Sequence, residues 1–210
     1  MRDAGHLAET NESMQMTTTK NHVAKLLALI LLAGAACVPF VRAGQDPLGR
    51  LYNAITYEDV PKARAALVAG IDWANDGKTD HQYSALHFAV GHTSSNGVEI
   101  LKLLLASKAD VNARAEYRRT PLHFAAQSGN TVALKLLVEH GADVNAQQRD
   151  RKTALHLAAS NGDVEIVKTL IEKKADVKGR DLYKNTPLMC AVVAKHKEVE
   201  KFLRQHGAKE

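Results

Sequence analysis

Residues 153–184 show the polar and apolar pattern of two short helices followed by a polar segment. Thr153 can cap the first helix, and Asn161-Gly162-Asp163 interrupts it. Asp163 can cap the second helix, whose apolar side chains recur at helical spacing at Val164, Val167, Leu170 and Ile171. Residues 176–184 are polar, and we expect an extended, hairpin-like finger there. Because one such unit cannot bury its apolar face, the pattern predicts stacked neighbours.

The same pattern recurs at a period of 33 residues. The sequence TPLHFAAQSGN at 120–130 falls on TALHLAASNGD at 153–163 and on TPLMCAVVAKH at 186–196. An earlier unit starts its motif at Ser84, 36 residues before Thr120, and a degenerate unit precedes that one. A fixed period of this size is typical of a stacked repeat architecture. We expect five units, with boundaries at 46–80, 81–116, 117–149, 150–182 and 183–210.

These motifs resemble those of ankyrin-repeat proteins. The resemblance lies in the 33-residue period, the Thr-Pro-Leu-His-x-Ala-Ala opening at 120–126 and the Gly-Ala-Asp-Val-Asn closing at 141–145. It is strong over 84–209 and weak over 46–83. It implies an all-α solenoid of about five stacked helix-turn-helix units with projecting fingers, in which 46–80 and 183–210 act as caps. It also implies a function in binding other proteins on the concave face, and we expect a monomer.

Residues 1–43 have the organisation of a secretory signal rather than of a repeat. Basic residues Lys20 and Lys25 precede thirteen uncharged residues from Leu26 to Val38, and Val41-Arg42-Ala43 follows with small residues at its ends. We expect cleavage after Ala43, which leaves residues 44–210 as the repeat domain without a stable membrane anchor.

Other interpretations of this segment stay open. The apolar run is short for a transmembrane helix but could serve as an uncleaved anchor. Cys37 could be a lipid-modified cysteine, although the leucine typical of a bacterial lipoprotein signal is missing from its place. The true start could also be Met14 or Met16, which would give a shorter leader.

Composition narrows the class of protein. The chain is 45% hydrophobic and 24% charged, which excludes a mainly disordered chain, and it has no apolar run long enough for a multi-span membrane protein. Two cysteines cannot build a disulfide scaffold or a four-cysteine zinc site. The net charge of +5 is modest, so we expect no nucleic-acid partner.

Three histidines recur at one position of the repeat, which raises the question of a metal site. Stacked helices lie about 8–10 Å apart, whereas zinc ligands lie about 2 Å from the ion, so histidines of adjacent units cannot share one. The resemblance implies instead that each histidine ties a finger to a helix start, with the hydroxyl of the preceding Ser or Thr as partner. We therefore expect no metal and no cofactor. The structural motif comprises Ser84, His87, Thr120, His123, Thr153, His156 and Thr186.

Catalytic motifs are missing from the sequence. It contains no Gly-x-Ser-x-Gly, no phosphate-binding glycine loop and no His-Glu-x-x-His. Cys190 could be a nucleophile, but it takes the place of Phe88, Phe124 and Leu157, so we expect a small buried apolar residue, with oxidation or dimer formation as the alternative. We do not expect an enzyme.

The finger tips carry the candidate binding residues. Most ankyrin repeats have glycine at the middle of the tip, where φ is positive, but this chain has Gln82, Arg118, Arg151 and Lys184. Because these residues are not glycine, the sequence does not fix the backbone geometry of the turns. They also place basic residues along one edge beside tyrosines. One interpretation is a docking edge for an acidic protein partner, and the other is a solvated polar turn. The candidate residues are Tyr83, Tyr117, Arg118, Arg119, Arg151, Lys152, Tyr183 and Lys184.

Together these features predict an exported, non-enzymatic binding protein. We expect the bacterial periplasm, with secretion outside the cell as the second location. Its role could be to protect a resident enzyme, to inhibit a toxic effector as immunity proteins do, or to act on host proteins as a secreted effector.

Overall fold

The fold is described by a computed structural model over residues 47–71 and 83–209, so the segment 1–43 and Gln82 lie outside the described residues. These two ranges contain ten α-helices and no β-strand, which confirms the all-helical prediction. Within them, a single 3-10 turn spans Glu116–Arg118. The helices are α1 (Pro47–Thr56), α2 (Val60–Val68), α3 (Ala85–Ala89), α4 (Ser95–Ala106), α5 (Pro121–Ser128), α6 (Thr131–Glu139), α7 (Ala154–Asn161), α8 (Val164–Glu172), α9 (Pro187–Val193) and α10 (Lys197–Gln205).

Successive helices form five pairs, and local sequence sets where each helix begins and ends. Proline at the first turn of α5 and α9 loses no helical hydrogen bond. Gly129 and Gly162 end α5 and α7 with φ of 71° and 80°, a left-handed conformation that glycine adopts at no steric cost. Asn130 caps α6 through its side chain, which accepts from Ala133 N at 3.0 Å. Asp163 precedes α8, but its side chain makes no capping hydrogen bond.

Leucine and alanine build one core that runs through all five pairs. Small side chains in the first helices are completely buried and let neighbouring helices approach closely, as at Ala125 and Ala158. Larger side chains of both helices fill the space between pairs, and Leu155 and Ile166 are likewise inaccessible to solvent. Each pair therefore buries its apolar face against its neighbours, as expected of a solenoid.

The Asp-Val-Asn closing of a unit forms hydrogen bonds to the next unit. The side chain of Asn112 donates to Gly141 O at 3.2 Å and accepts from Asp143 N at 2.8 Å. One unit later, the side chain of Asn145 donates to Lys174 O at 3.3 Å and accepts from Asp176 N at 2.8 Å. The repeated asparagine thus joins the ends of successive second helices and helps to fix the spacing of the stack.

Polar contacts join the degenerate first pair to the second. The Glu58 carboxylate lies 2.8 Å from His92 Nδ1 and also accepts a hydrogen bond from the Ser94 hydroxyl. The Tyr52 hydroxyl donates to Tyr83 O at 2.9 Å. The second unit carries the three extra residues, and its helix α4 has 12 residues where α2, α6 and α8 have 9. None of the helices in the two described ranges has the length and apolar character needed to cross a membrane.

Candidate functional site

Each repeated histidine connects the start of a first helix to the following finger. His123 Nδ1 lies 3.2 Å from Thr120 N and 2.9 Å from Thr120 Oγ1, and its Nε2 lies 3.2 Å from Lys152 O. The other two histidines repeat this arrangement. His87 contacts Ser84 and Arg119 O, and His156 contacts Thr153 and Asn185 O. Since a carbonyl oxygen only accepts, Nε2 carries the proton in all three neutral rings.

Burial keeps these histidines neutral. Desolvation lowers the pKa of His87 and of His123 to about 4, and burial also lowers the pKa of His156. Both ring nitrogens of each histidine are engaged within the fold. In residues 47–71 and 83–209 no three His, Cys, Asp or Glu side chains are grouped in a way that could hold a metal ion.

The fingers are tight turns closed by backbone hydrogen bonds. Ala115 N donates to Arg119 O at 2.8 Å, and equivalent bonds close the turns 148–152 and 181–185. Neighbouring fingers are also joined, because Arg149 N donates to Tyr117 O at 2.7 Å and Leu182 N to Asp150 O at 2.8 Å. Backbone atoms therefore fix the finger tips one unit apart.

The middle residue of each described finger adopts the left-handed conformation without being glycine. The φ angles of Arg118, Arg151 and Lys184 are 60°, 63° and 66°. The turn geometry that the sequence left open is thus the one that glycine favours, although each of these residues has a Cβ. The side chains point to solvent, and none of the three forms an ion pair with a described residue.

The eight candidate binding residues divide into two rows. The first row lies at the exposed tips, and we call it the finger edge: Tyr117, Arg118, Arg151, Tyr183 and Lys184. The second row follows the tip in each finger and turns towards the first helices, and we call it the inner row: Tyr83, Arg119 and Lys152. All three inner-row residues are half-buried, so Tyr83 does not flank the exposed basic residues as the sequence suggested.

The inner row contacts the side chains of the first helices. The ring of Tyr83 packs edge-on against Phe88 and Phe124, with centroids 6.0 Å and 5.7 Å apart, and burial raises the pKa of its hydroxyl. The Arg119 guanidinium lies 3.9 Å from the centre of the Phe124 ring. Lys152 pairs with Asp150 at 3.2 Å. We call the surface between the inner row and the first helices the groove.

Cys190 lies at the same position of its helix as Phe124 and is half-buried against the core. Burial raises the pKa of its thiol, so this sulfur has less thiolate character than an exposed cysteine. The thiol is free. The position therefore has the packing role that Phe124 has in its own unit, and burial disfavours the thiolate form.

Six residues that line an open cavity in the groove are not among those predicted from the sequence: Gln127, Gln148, Arg149, Asp150, Leu157 and Leu182. Arg149 and Leu182 precede the finger tips and face this cavity. They occupy equivalent positions one unit apart, where the finger at 115–119 has Glu116. Because the residue type changes from unit to unit, no repeated motif marks this position, and only the stacking of fingers brings the two side chains to one cavity.

Comparison with known proteins agrees with the repeat organisation. The family model for ankyrin repeats (3 copies) matches residues 51–148 and 141–210. A search of curated proteins finds no match to this chain.

Proposed function

Since the chain belongs to the ankyrin-repeat family, whose members generally act as protein–protein interaction modules, we propose that it is a non-enzymatic protein that binds a protein partner through its groove and finger edge. The fold alone does not specify a partner. The proposal therefore depends on what the exposed side chains of this chain offer beyond a stable solenoid.

The observation that carries the proposal is the set of three cations at the finger tips. Arg118, Arg151 and Lys184 adopt a conformation that costs a residue with a Cβ about 1–2 kcal/mol. They recover nothing from ion pairs within the described chain. Lys108 and Lys174 share this backbone conformation, so the cost by itself does not mark the fingers. The tip cations differ from those lysines because they form one row beside the exposed rings of Tyr117 and Tyr183. Arginines beside exposed tyrosines suit an acidic protein surface.

Export is the second part of the proposal. The order of basic residues, apolar run and small-x-small motif up to Ala43 supports cleavage after that residue and delivery to the periplasm. A periplasmic binder could protect a resident enzyme or inhibit a toxic effector, and the identity of the partner separates these roles.

Affinity capture followed by kinetics tests the binding function. The full-length protein is immobilised, bacterial envelope extracts are passed over it, and retained proteins are identified by mass spectrometry. Once the partner is identified, the double variant Arg118→Glu, Arg151→Glu should lower its association rate by about tenfold at low salt. The loss should be smaller at high salt, because screening weakens electrostatic steering.

The matched control changes the same charge at the same kind of backbone position elsewhere. Lys108 and Lys174 are exposed, have φ of 63° and 67°, and end second helices rather than fingers. The double variant Lys108→Glu, Lys174→Glu should retain most of the association rate. Equal losses in both double variants would show a non-specific effect of net charge and would remove the finger edge from the proposal.

A reporter fusion tests export. Residues 1–50 are fused to a phosphatase that is active only outside the cytoplasm, and the N-terminus of the product is sequenced. We expect activity and a mature N-terminus at Gly44. Leu29→Arg should abolish activity, because a charge in the apolar run blocks insertion. An active fusion that keeps residues 1–43 would instead indicate an uncleaved anchor.

A further inference from the structure

An open cavity of about 490 Å³ lies in the groove, between the fingers at 115–119, 148–152 and 181–185 and the first helices behind them. Tyr117, Arg149 and Leu182 contribute from the fingers, and Gln127 and Leu157 from the helices. Arg119 lines the same space. The cavity therefore combines cationic and apolar side chains at one place.

Arg119 has no carboxylate within ion-pair distance among the described residues, although Asp150 and Glu116 lie near enough to favour its charged form. Its guanidinium lies on the Phe124 ring, and its Nη2 donates to Gln127 Oε1, but no carboxylate of the described chain pairs with it. Burial lowers its pKa, which shows that the charged form loses hydration here. A guanidinium has five N–H donors and binds a carboxylate with two of them. An incoming anion would therefore find an unpaired, partly dehydrated cation.

Among the described residues that line the cavity, the cations outnumber the single carboxylate, Asp150. Arg149 is exposed and has no ion pair in the part of the chain that the structure describes. The carboxylate of Asp150 is already occupied, by Lys152 Nζ at 3.2 Å and by Gln148 Nε2 at 2.9 Å. The cavity thus keeps a net positive charge that its own residues do not neutralise.

Apolar side chains stand beside these cations. Leu157 is half-buried and packs against the core, whereas Leu182 is 59% exposed and Tyr117 48% exposed. An exposed leucine just before the tip of a polar finger contributes little to the fold. Its position beside two unpaired arginines is suited to a ligand that carries a negative charge and an apolar group close together.

We infer that this cavity receives an acidic side chain from an extended segment of the partner protein, with a neighbouring apolar side chain against Leu157 and Leu182. The inference rests on the proposed binding function and specifies the chemistry of the partner. Charge complementarity with Arg119 and Arg149 selects the carboxylate. The leucines favour a protein ligand with an aliphatic or aromatic side chain. A nucleic acid would instead need a longer row of basic residues and aromatic rings on which its bases could stack.

A displayed library of random dodecapeptides is selected on the immobilised full-length protein. We expect enriched peptides to place Asp or Glu within two residues of Leu, Ile, Met or Phe. One enriched peptide is then synthesised with its acidic residue and with the matching amide. The amide version should bind at least about tenfold more weakly, because it loses a charge-assisted bidentate contact.

Three protein variants locate the contact. Arg119→Gln and Arg149→Gln should each weaken peptide binding by about fivefold or more. Arg50→Gln, an exposed arginine on α1 outside the cavity lining, makes the same charge change and should stay within about twofold. Thermal unfolding monitors Arg119→Gln, which loses the contact with Phe124. If Arg119→Gln does not fold, Arg149→Gln still tests the cavity.

Several results would overturn the inference. The selection would do so if it enriched no peptide or only peptides without acidic residues. The affinities would do so if Arg149→Gln bound the peptide unchanged, or if a single-stranded DNA oligonucleotide bound more tightly than the peptide. If the captured partner still loses association rate in Arg118→Glu, Arg151→Glu but not in Arg149→Gln, the proposed function stands and only the cavity inference fails.

Discussion

At the scale of single residues, the chain uses lysine and arginine where the backbone favours glycine. Eight non-glycine residues have positive φ in the described ranges, and six of them are basic: Lys108, Arg118, Arg151, Lys174, Lys184 and Lys195. Gly141 and Gly207 occupy the positions of Lys108 and Lys174 in their own units. The protein therefore accepts a conformational cost at several exposed positions and gains surface charge.

Arg151→Gly should stabilise the fold. Glycine adopts a φ of 63° without the Cβ clash, so after its larger loss of backbone entropy we expect a gain of about 0.5–1 kcal/mol in the free energy of unfolding. Urea denaturation measures the change. Arg151→Ala is the matched control, because it removes the same charge and keeps a Cβ. Equal stability of the two variants would show that the turn is not strained.

At the scale of helices and fingers, the buried histidines hold the pieces of adjacent units together. Each one spans a helix start and the next finger with both ring nitrogens, and Met189 takes this position in the last unit. Because burial lowers the pKa of these rings below that of an unfolded histidine, the unfolded chain takes up protons at a higher pH than the fold, which links stability to pH.

Stability should fall between pH 7.5 and pH 5.5. The pKa of His87 and of His123 is about 4 in the fold against 6.5 in the unfolded chain, so the unfolded state binds more protons in this range. The contribution is fully present above pH 6.5 and is lost as pH falls towards 4. We expect a loss of about 1 kcal/mol per histidine by pH 5.5, measured by urea denaturation at both pH values.

His123→Met provides the control, since methionine is the residue that α9 carries at this position. The variant should be less stable at pH 7.5, because Lys152 O loses its donor. It should also lose less stability between pH 7.5 and pH 5.5 than the parent chain. An unchanged pH dependence would mean that other groups titrate in this window.

At the scale of the whole molecule, stability comes from stacking. The core is shared between units, because buried leucines of each helix pair pack against the pairs on either side. A cavity in a middle unit therefore weakens two interfaces at once. The polar links at Glu58 and at the repeated asparagines fix spacing, while apolar burial supplies most of the free energy.

Leu155→Ala should lower the free energy of unfolding by about 2–5 kcal/mol, because Leu155 is 0% exposed in the middle of the stack. Denaturant unfolding gives the value. Leu182→Ala removes the same atoms from a side chain that is 59% exposed and should cost less than about 0.5 kcal/mol. Similar losses in the two variants would mean that the assignment of the repeat register is wrong.

The all-helical fold follows from the sequence, because apolar spacing, helix caps and a 33-residue period are local properties that repeat along the chain. Tertiary packing sets which finger residues are exposed. Arg118 and Arg119 are neighbours in one tight turn, yet Arg118 lies at the exposed tip while Arg119 stacks on Phe124. Tertiary packing also brings Arg149 and Leu182, 33 residues apart, to one cavity, since backbone hydrogen bonds between fingers set their distance.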